Sequence, residues 1–374
     1  MNKARIVIAS VLKPVTEPRA FAKLALSMCE TNKYHLNIIG FYSKKAPILE
    51  DIQFTCIFNR HRSHFFRALA PLKFLVEIFK YKPNLVIVST YELVPMALIG
   101  KFFLKYKLIY DLQENYHKNV LLNNTVPFGL RQLLSLFIQT IEKSAHPFID
   151  HYFFAEQSYS REFPYILRFT ILENKYPGKV KMEGPKPLDE DRSTLIISGT
   201  ITPVYGIENA IRWFLSLHRE FPGLSLKIMG HVPLQNFKKQ LEELAIQHPQ
   251  VKLNLSTIPI PYPDIQEEIL KADIVLMPYE NISSIQSKIP TKLYESIALQ
   301  KPILISTNPL WQEIIDPYPA GIAVDFLKIS EAKTIYKKLM TTPLYLKIPG
   351  PEVTWGAEKP KLLQAIEGLL FSQQ

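Results

Sequence analysis

At 374 residues the chain is longer than one ordinary α/β core needs and fits two. Nearly half of its residues are apolar and no low-complexity tract interrupts it, which excludes a fibrous or disordered protein. No apolar run approaches the roughly 20 residues of a spanning helix; the best, Leu93–Leu104, is broken by Pro95 and Lys101. The net charge of +10 is uneven: residues 1–188 hold 26 Lys+Arg against 14 Asp+Glu, the remainder 18 against 20. A basic first half suits an anionic partner, either membrane lipid or an acidic or lipid-phosphate acceptor. Nucleic acid is set aside, because no binding motif accompanies the charge.

Met1–Arg5 leads directly into strand-like Ile6–Ser10 without a leader pattern. The two cysteines, Cys29 and Cys56, sit among apolar residues in sequence. Both features predict a reducing, cytoplasmic setting without disulfides. Strands are predicted at Arg5–Ser10, His35–Phe41, Gln53–Phe58, Leu85–Ser89, Lys107–Asp111, His151–Ala155 and Phe169–Leu172, with helical patterns between them such as Arg19–Glu30, His64–Tyr81 and Leu130–Ser144. Such alternation means a parallel, doubly wound sheet. SVLKPVTEPRA follows the first strand where a dinucleotide fold would show GxGxxG, and no Walker-type loop occurs, so no dinucleotide cofactor is expected.

Met182–Ser193, MEGPKPLDEDRS, reads as a linker. The alternation then resumes at Thr194–Ser198, Leu224–Met229, Val251–Leu255, Asp273–Met277, Ile303–Ser306 and Gly321–Asp325, and a helix closes the chain at Glu358–Phe371. The expected domains are 1–185, 192–345 and a tail of 346–374. No HExxH, CxxC or DxD pattern is present, so no metal is expected; Asp189-Glu190-Asp191 belongs to the linker.

Ala272–Thr307 is the most informative stretch. A buried strand runs into a polar loop, Tyr279–Ile289, and Pro290-Thr291 opens a helix with Thr291 as its expected N-cap. Lys292 and Glu295 lie three apart on one face. A lysine in the first turn opposes the macrodipole unless an anion sits nearby, and helix N-termini are anion sites. The residues alone leave two readings: a diphosphate held by amides and Lys292 with Glu295 on a sugar diol, or an exposed ion pair of small value.

"PTKLYESIALQKPILIS" after "ADIVLMPY" resembles the donor-site signature of GT-B glycosyltransferases, in particular the large retaining family 4. The resemblance implies two Rossmann-like domains facing a cleft, with the last helix crossing back to the first domain, as "EVTWGAEKPKLLQAIEGLL" suggests. It assigns Lys292 to the diphosphate and Glu295 to the nucleotide ribose. A second family glutamate, near the donor sugar, is here Ser287, with Glu280, Ser284 and Tyr279 as nearby donor-side candidates. SGTITPVYG, Ser198–Gly206, resembles the family's phosphate loop. Gly199 and Gly206 admit close backbone approach there, while Thr200 and Tyr205 stand where basic residues are usual.

In the first half, YDLQENYH, Tyr110–His117, resembles the family loop that touches the donor sugar or acceptor, with Asp111, Glu114 and His117 as its candidates; a structural histidine is the competing reading. Asn174 matches a family asparagine, and Ile258–Tyr262 matches the base-binding segment. Asn59–Arg67, NRHRSHFFR, mixes basic and aromatic residues and reads either as a membrane or pyrophosphate contact or as a solvated loop. The resemblance implies sugar transfer from a nucleotide diphosphate sugar to a glycan or lipid-linked hydroxyl. Retention would leave the departing phosphate as base. A nucleotide-sugar epimerase and a non-catalytic binding relative are the alternatives.

Overall fold

A computed structural model describes residues 3–43, 46–58, 65–122 and 127–371. The chain forms two compact units, 1–177 with 355–374, and 178–354. The first unit is a seven-stranded sheet built from β1 (Ala4–Pro14), β2 (Tyr34–Phe41), β3 (Ile52–Phe58), β4 (Leu85–Val88), β5 (Lys107–Leu112), β6 (His151–Phe154) and β7 (Phe169–Ile171). Its order is β3-β2-β1-β4-β5-β6-β7, all parallel.

Period-two alternation along β1 divides the helices into two layers. Val7 and Ala9 face the helices Ala70–Tyr81, Val94–Leu104 and Phe128–Ala145 through Phe74, Ile78, Ala97 and Ala145. Ile6 and Ile8 face Leu24 and Met28 on one side and Leu362 and Ile366 of the last helix, Lys359–Phe371, on the other. The tail is therefore part of the first unit. It is fastened by Trp355 Nε1 donating to Ser27 Oγ at 2.8 Å and by Lys175 on the fully buried Glu358 at 2.7 Å.

The second unit is a six-stranded parallel sheet of β8 (Thr194–Thr200), β9 (Ser225–His231), β10 (Val251–Ser256), β11 (Ile274–Met277), β12 (Ile303–Ser306) and β13 (Gly321–Val324), in the order β10-β9-β8-β11-β12-β13. The amphipathic helix Ile207–Glu220 covers it with Ile211, Trp213, Phe214 and Leu217, all fully buried. The MEGPKPLDEDRS segment lies within this unit, where Tyr336 donates its hydroxyl to the Glu190 carbonyl at 2.9 Å and Gln300 holds the Lys181 carbonyl.

Several local expectations need correction. Arg19–Ala25 is a π-helix leading into a single α-turn, Leu26–Cys29, rather than one regular helix. The wider turn brings residues four apart nearly into line, and both Arg19 and Lys23 point into the unit. Cys56 is exposed on β3; only Cys29 packs on the apolar core. The loop Tyr279–Ile289 contains a helical turn, Ser283–Gln286. Residues 59–64 of the basic Asn59–Arg67 segment lie outside the described residues. Among the described residues no helix is long and apolar enough to cross a membrane.

Candidate functional site

Each sheet has one place where the order reverses, between β1 and β4 in the first unit and between β8 and β11 in the second. Ligands of open α/β sheets bind outside the carboxyl ends of the strands at such a point, because the loops on either side diverge and leave a crevice. The Lys292 stretch follows β11 and the Ser198–Gly206 stretch follows β8. Ninety-four residues of separation thus collapse into one corner.

At that corner Lys292 lies on the second residue of the helix Thr291–Ala298 and reaches back to donate to the Ser198 carbonyl. Its ammonium rests against Gly199, whose φ is +103°. A Cβ at 199 would occupy the space of Nζ and push the lysine aside, while the positive φ itself favours glycine. Burial pulls the Lys292 pKa down to about 8, partly opposed by the nearby Glu295 carboxylate. By accessible surface the side chain is half-buried, so an incoming anion can reach the amine and restore its full charge. In the same Ser198–Gly206 stretch the buried Ser198 and Thr202 hydroxyls have no hydrogen-bond partner among the described residues.

Glu295 is 2% exposed and accepts from the Tyr262 hydroxyl at 2.6 Å. An exposed ion pair is therefore excluded as the role of this lysine and glutamate. Tyr262 escaped sequence reasoning: it stands in the expected base-binding segment, but nothing in its spacing ties it to a residue 33 positions later. Thr291 is not the N-cap; Pro290 takes that place without a side-chain cap bond, since Pro290 already supplies the extended φ and ψ that a cap requires.

Gly206 caps Ile207–Glu220 at φ +65°, pressed against the Pro278 carbonyl that follows β11. Tyr205 meets Tyr279 edge-on at 4.8 Å, and Tyr279 in turn meets Trp311 at 5.3 Å. Burial pushes the Tyr279 pKa up, so its phenol stays neutral. These rings fix the loop after β11 beside the loop after β8. Thr200 and Glu280 are exposed at the rim, and the Glu280 amide bonds the Val204 carbonyl at 3.3 Å. Ser287 ends the Ser283–Gln286 turn half-buried; the side chain of Ser284 lies outside the described residues.

In the first unit a small cavity opens at the β1/β4 reversal, lined among others by Ser10, Lys13, Glu17, Ser89, Asp111 and Gln113. Asp111, expected to touch a sugar, is engaged in a buried ion pair beside this cavity. Arg19 Nε and Nη2 hold its carboxylate at 2.6–3.1 Å, with both side chains 1% exposed, and Gln113 donates to it at 2.7 Å. The remaining Arg19 nitrogen donates to the Leu172 carbonyl at 2.8 Å. Nothing local in PRA announced that partner 92 residues away.

Glu114 accepts from Asn119 at 2.9 Å, and His117 pairs with Gln139 at 3.2 Å and meets Phe163 edge-on. Burial and Lys118 lower the His117 pKa, keeping the ring neutral near pH 7. These contacts suit a positioning role as well as a chemical one. Asn174 takes the Lys23 ammonium. Among the described residues no group of three or more His, Cys, Asp or Glu could hold a metal ion.

Two parallel-sheet units, each with ligand-facing groups at its strand-order reversal, define a GT-B architecture. Residues 180–347 match the family model "Glycosyl transferases group 1", which spans the second unit almost entirely. The chain is by that domain an enzyme of the glycosyltransferase class.

No curated protein matches the sequence. Solved structures share the fold at low identity. The sucrose-phosphate synthase of Thermosynechococcus elongatus is 11% identical, with a TM-score of 0.67 over 99% of this chain and 97% of that one. The Anabaena HepE protein in complex with UDP and glucose is 13% identical, with a TM-score of 0.64 over 98% and 100%. The Escherichia coli trehalose-6-phosphate structure bound with UDP-2-fluoro glucose is 11% identical, with a TM-score of 0.58 over 98% and 96%.

Proposed function

We propose that the chain transfers a sugar, with retention, from a nucleotide diphosphate sugar to a hydroxyl of a glycan or lipid-linked acceptor. The observation that carries this reading is the Lys292 ammonium, laid from the helix Thr291–Ala298 against Gly199 and bonded to the Ser198 carbonyl at the strand-order reversal. In this reading the leaving diphosphate lies between that ammonium and the first-turn amides of Ile207–Glu220 and Thr291–Ala298. Charge develops on the diphosphate as the glycosidic bond breaks, and donors already fixed in place stabilise it most when it is largest. Glu295, oriented by Tyr262, accepts from the ribose diol.

Retention follows from the resemblance to family 4; the leaving phosphate then serves as base, and no metal is required. UDP is the first nucleotide to try, since the HepE and E. coli neighbours carry UDP or a UDP-sugar. A cytoplasmic enzyme making surface polysaccharide or glycolipid at the inner face of the membrane fits the basic first half.

Thermal unfolding with UDP, GDP, ADP and CDP tests the donor site. The matching nucleotide at about 100 times its Kd raises stability by about 2.7 kcal/mol. Lys292→Ala and Glu295→Ala lose that gain while keeping their own melting transitions. If none of the four shifts the wild type at millimolar concentration, the donor site is misassigned.

A further inference from the structure

The three helices on one face of the first sheet are apolar on two sides. Helix Ala70–Tyr81 buries Ala70, Phe74 and Ile78 on the sheet, yet exposes Leu72, Val76 and Phe79 on its outer side. Helix Val94–Leu104 buries Val94, Ala97 and Gly100 and turns Phe102 and Phe103 outward, at 68% and 63% exposure. Helix Phe128–Ala145 does the same with Leu133 and Leu136. A surface helix of a globular protein needs one apolar stripe, and the second carries an unfavourable hydration cost of about 25 cal/mol per Å².

The outer stripes form one surface because the three helices make one layer. Phe79 and Phe103 bridge the first two helices at 6.0 Å, and Phe102 packs on Phe103 at 5.2 Å. The opposite layer is conventional: in Arg19–Cys29 and Lys359–Phe371 the only exposed large apolar residue is the terminal Phe371. The asymmetry is therefore a property of one face, not of the composition.

Charge names the occupant. Among the described residues, Lys73, Lys82 and Lys105 on or beside the first two helices have no acid set against them, whereas Lys80 is paired with Glu77 and Lys101 with Asp150. Lys105 lies over the Phe102 ring at 4.9 Å. A second copy of this face would set these lysines against their own images, because a two-fold contact pairs like patches. A bilayer with anionic headgroups instead takes the aromatic and aliphatic side chains at the acyl boundary and the lysines at the phosphates.

We infer that the outer face of Ala70–Tyr81, Val94–Leu104 and Phe128–Ala145 is a docking surface for a bilayer rich in anionic lipid. It deepens the membrane-contact part of the proposed function and does not depend on the donor site.

The test is flotation with vesicles of phosphatidylcholine alone or mixed with phosphatidylglycerol, using wild type, Phe102→Ser/Phe103→Ser and Lys73→Glu/Lys105→Glu. All four positions are exposed, so melting temperature and the UDP-induced shift serve as folding controls. Wild type floats with the mixed vesicles, and each double variant loses binding about tenfold with both controls unchanged. Failure of wild type to bind either vesicle overturns the inference and the membrane contact together. Binding that both variants retain overturns the assignment of this face alone. Dimerisation abolished by Phe102→Ser/Phe103→Ser, without vesicle binding, assigns the face to a second copy and also overturns it. A lost UDP shift in wild type would count against the donor site instead.

Discussion

The Lys292 ammonium occupies the space in which a side chain at Gly199 would begin. One residue belongs to β8, the other to the helix Thr291–Ala298 after β11. Gly199, at positive φ and without a Cβ, leaves room for the Lys292 ammonium, which bonds the Ser198 carbonyl.

Gly199→Ala is expected to lose about 1–3 kcal/mol of stability from the forced φ alone. It also displaces Lys292, so nucleotide-induced stabilisation disappears even in the fraction that folds. Urea unfolding with and without UDP separates the two effects. A variant that keeps its full UDP shift would show that the contact is incidental.

The pH dependence of binding has a definite sign. Burial sets the Lys292 pKa at about 8 in the free protein, and a bound diphosphate raises it. Affinity for UDP is flat below pH 8 and then weakens about tenfold per pH unit. Without ligand the folded amine gives up its proton before the unfolded one. Stability contributed by this group therefore rises with pH from about 8 toward 10.5. Lys301 is shifted in the same way by burial, so the comparison is wild type against Lys292→Met, which removes only the Lys292 part. Titration calorimetry across pH 7–10 (roughly the window between shifted and free lysine) measures the affinity, and urea unfolding over the same range measures the stability.

Tyr262→Phe leaves a buried carboxylate short of one donor. A loss of about 1–3 kcal/mol is expected, and UDP affinity falls with it because Glu295 is no longer oriented. Unchanged UDP affinity would mean that Glu295 does not touch the nucleotide.

Arg19 and Asp111 are a structural pair. Removing either partner strands a buried charge, and Asp111→Ala should cost about 3–5 kcal/mol. The double variant Arg19→Met/Asp111→Leu should recover much of that loss. If instead Asp111→Ala melts like wild type and loses only turnover, Asp111 belongs to the reaction after all.

Glu142, buried and accepting from the Tyr110 hydroxyl at 2.8 Å, has its pKa pushed up to about 7 by burial, partly offset by that bond. The raised value favours the protonated folded state, so stability declines as pH climbs from 4.5 to about 7. Glu142→Gln keeps the acceptor and removes the charge. It should gain about 2–3 kcal/mol at pH 8 and almost nothing at pH 4.5. Melting curves at those two pH values check it.

The sequence by itself determined the alternation of strands and helices, and with it two parallel sheets, because period-two and period-3.6 patterns are local consequences of which faces are buried. It also determined that Lys292 and Glu295 share a helix face, since that is a matter of spacing. Only the tertiary structure decided what those residues meet. Ser198, Gly199 and Tyr262 reach them across strands whose order no local pattern records. The same holds for Asp111, which reads as a loop acid until Arg19, 92 residues earlier, is folded onto it. The outer apolar stripes of the first unit were visible as leucines and phenylalanines, but exposure is a property of layers. A residue's periodicity says that it has a face, and only the packed sheet says which face is left uncovered.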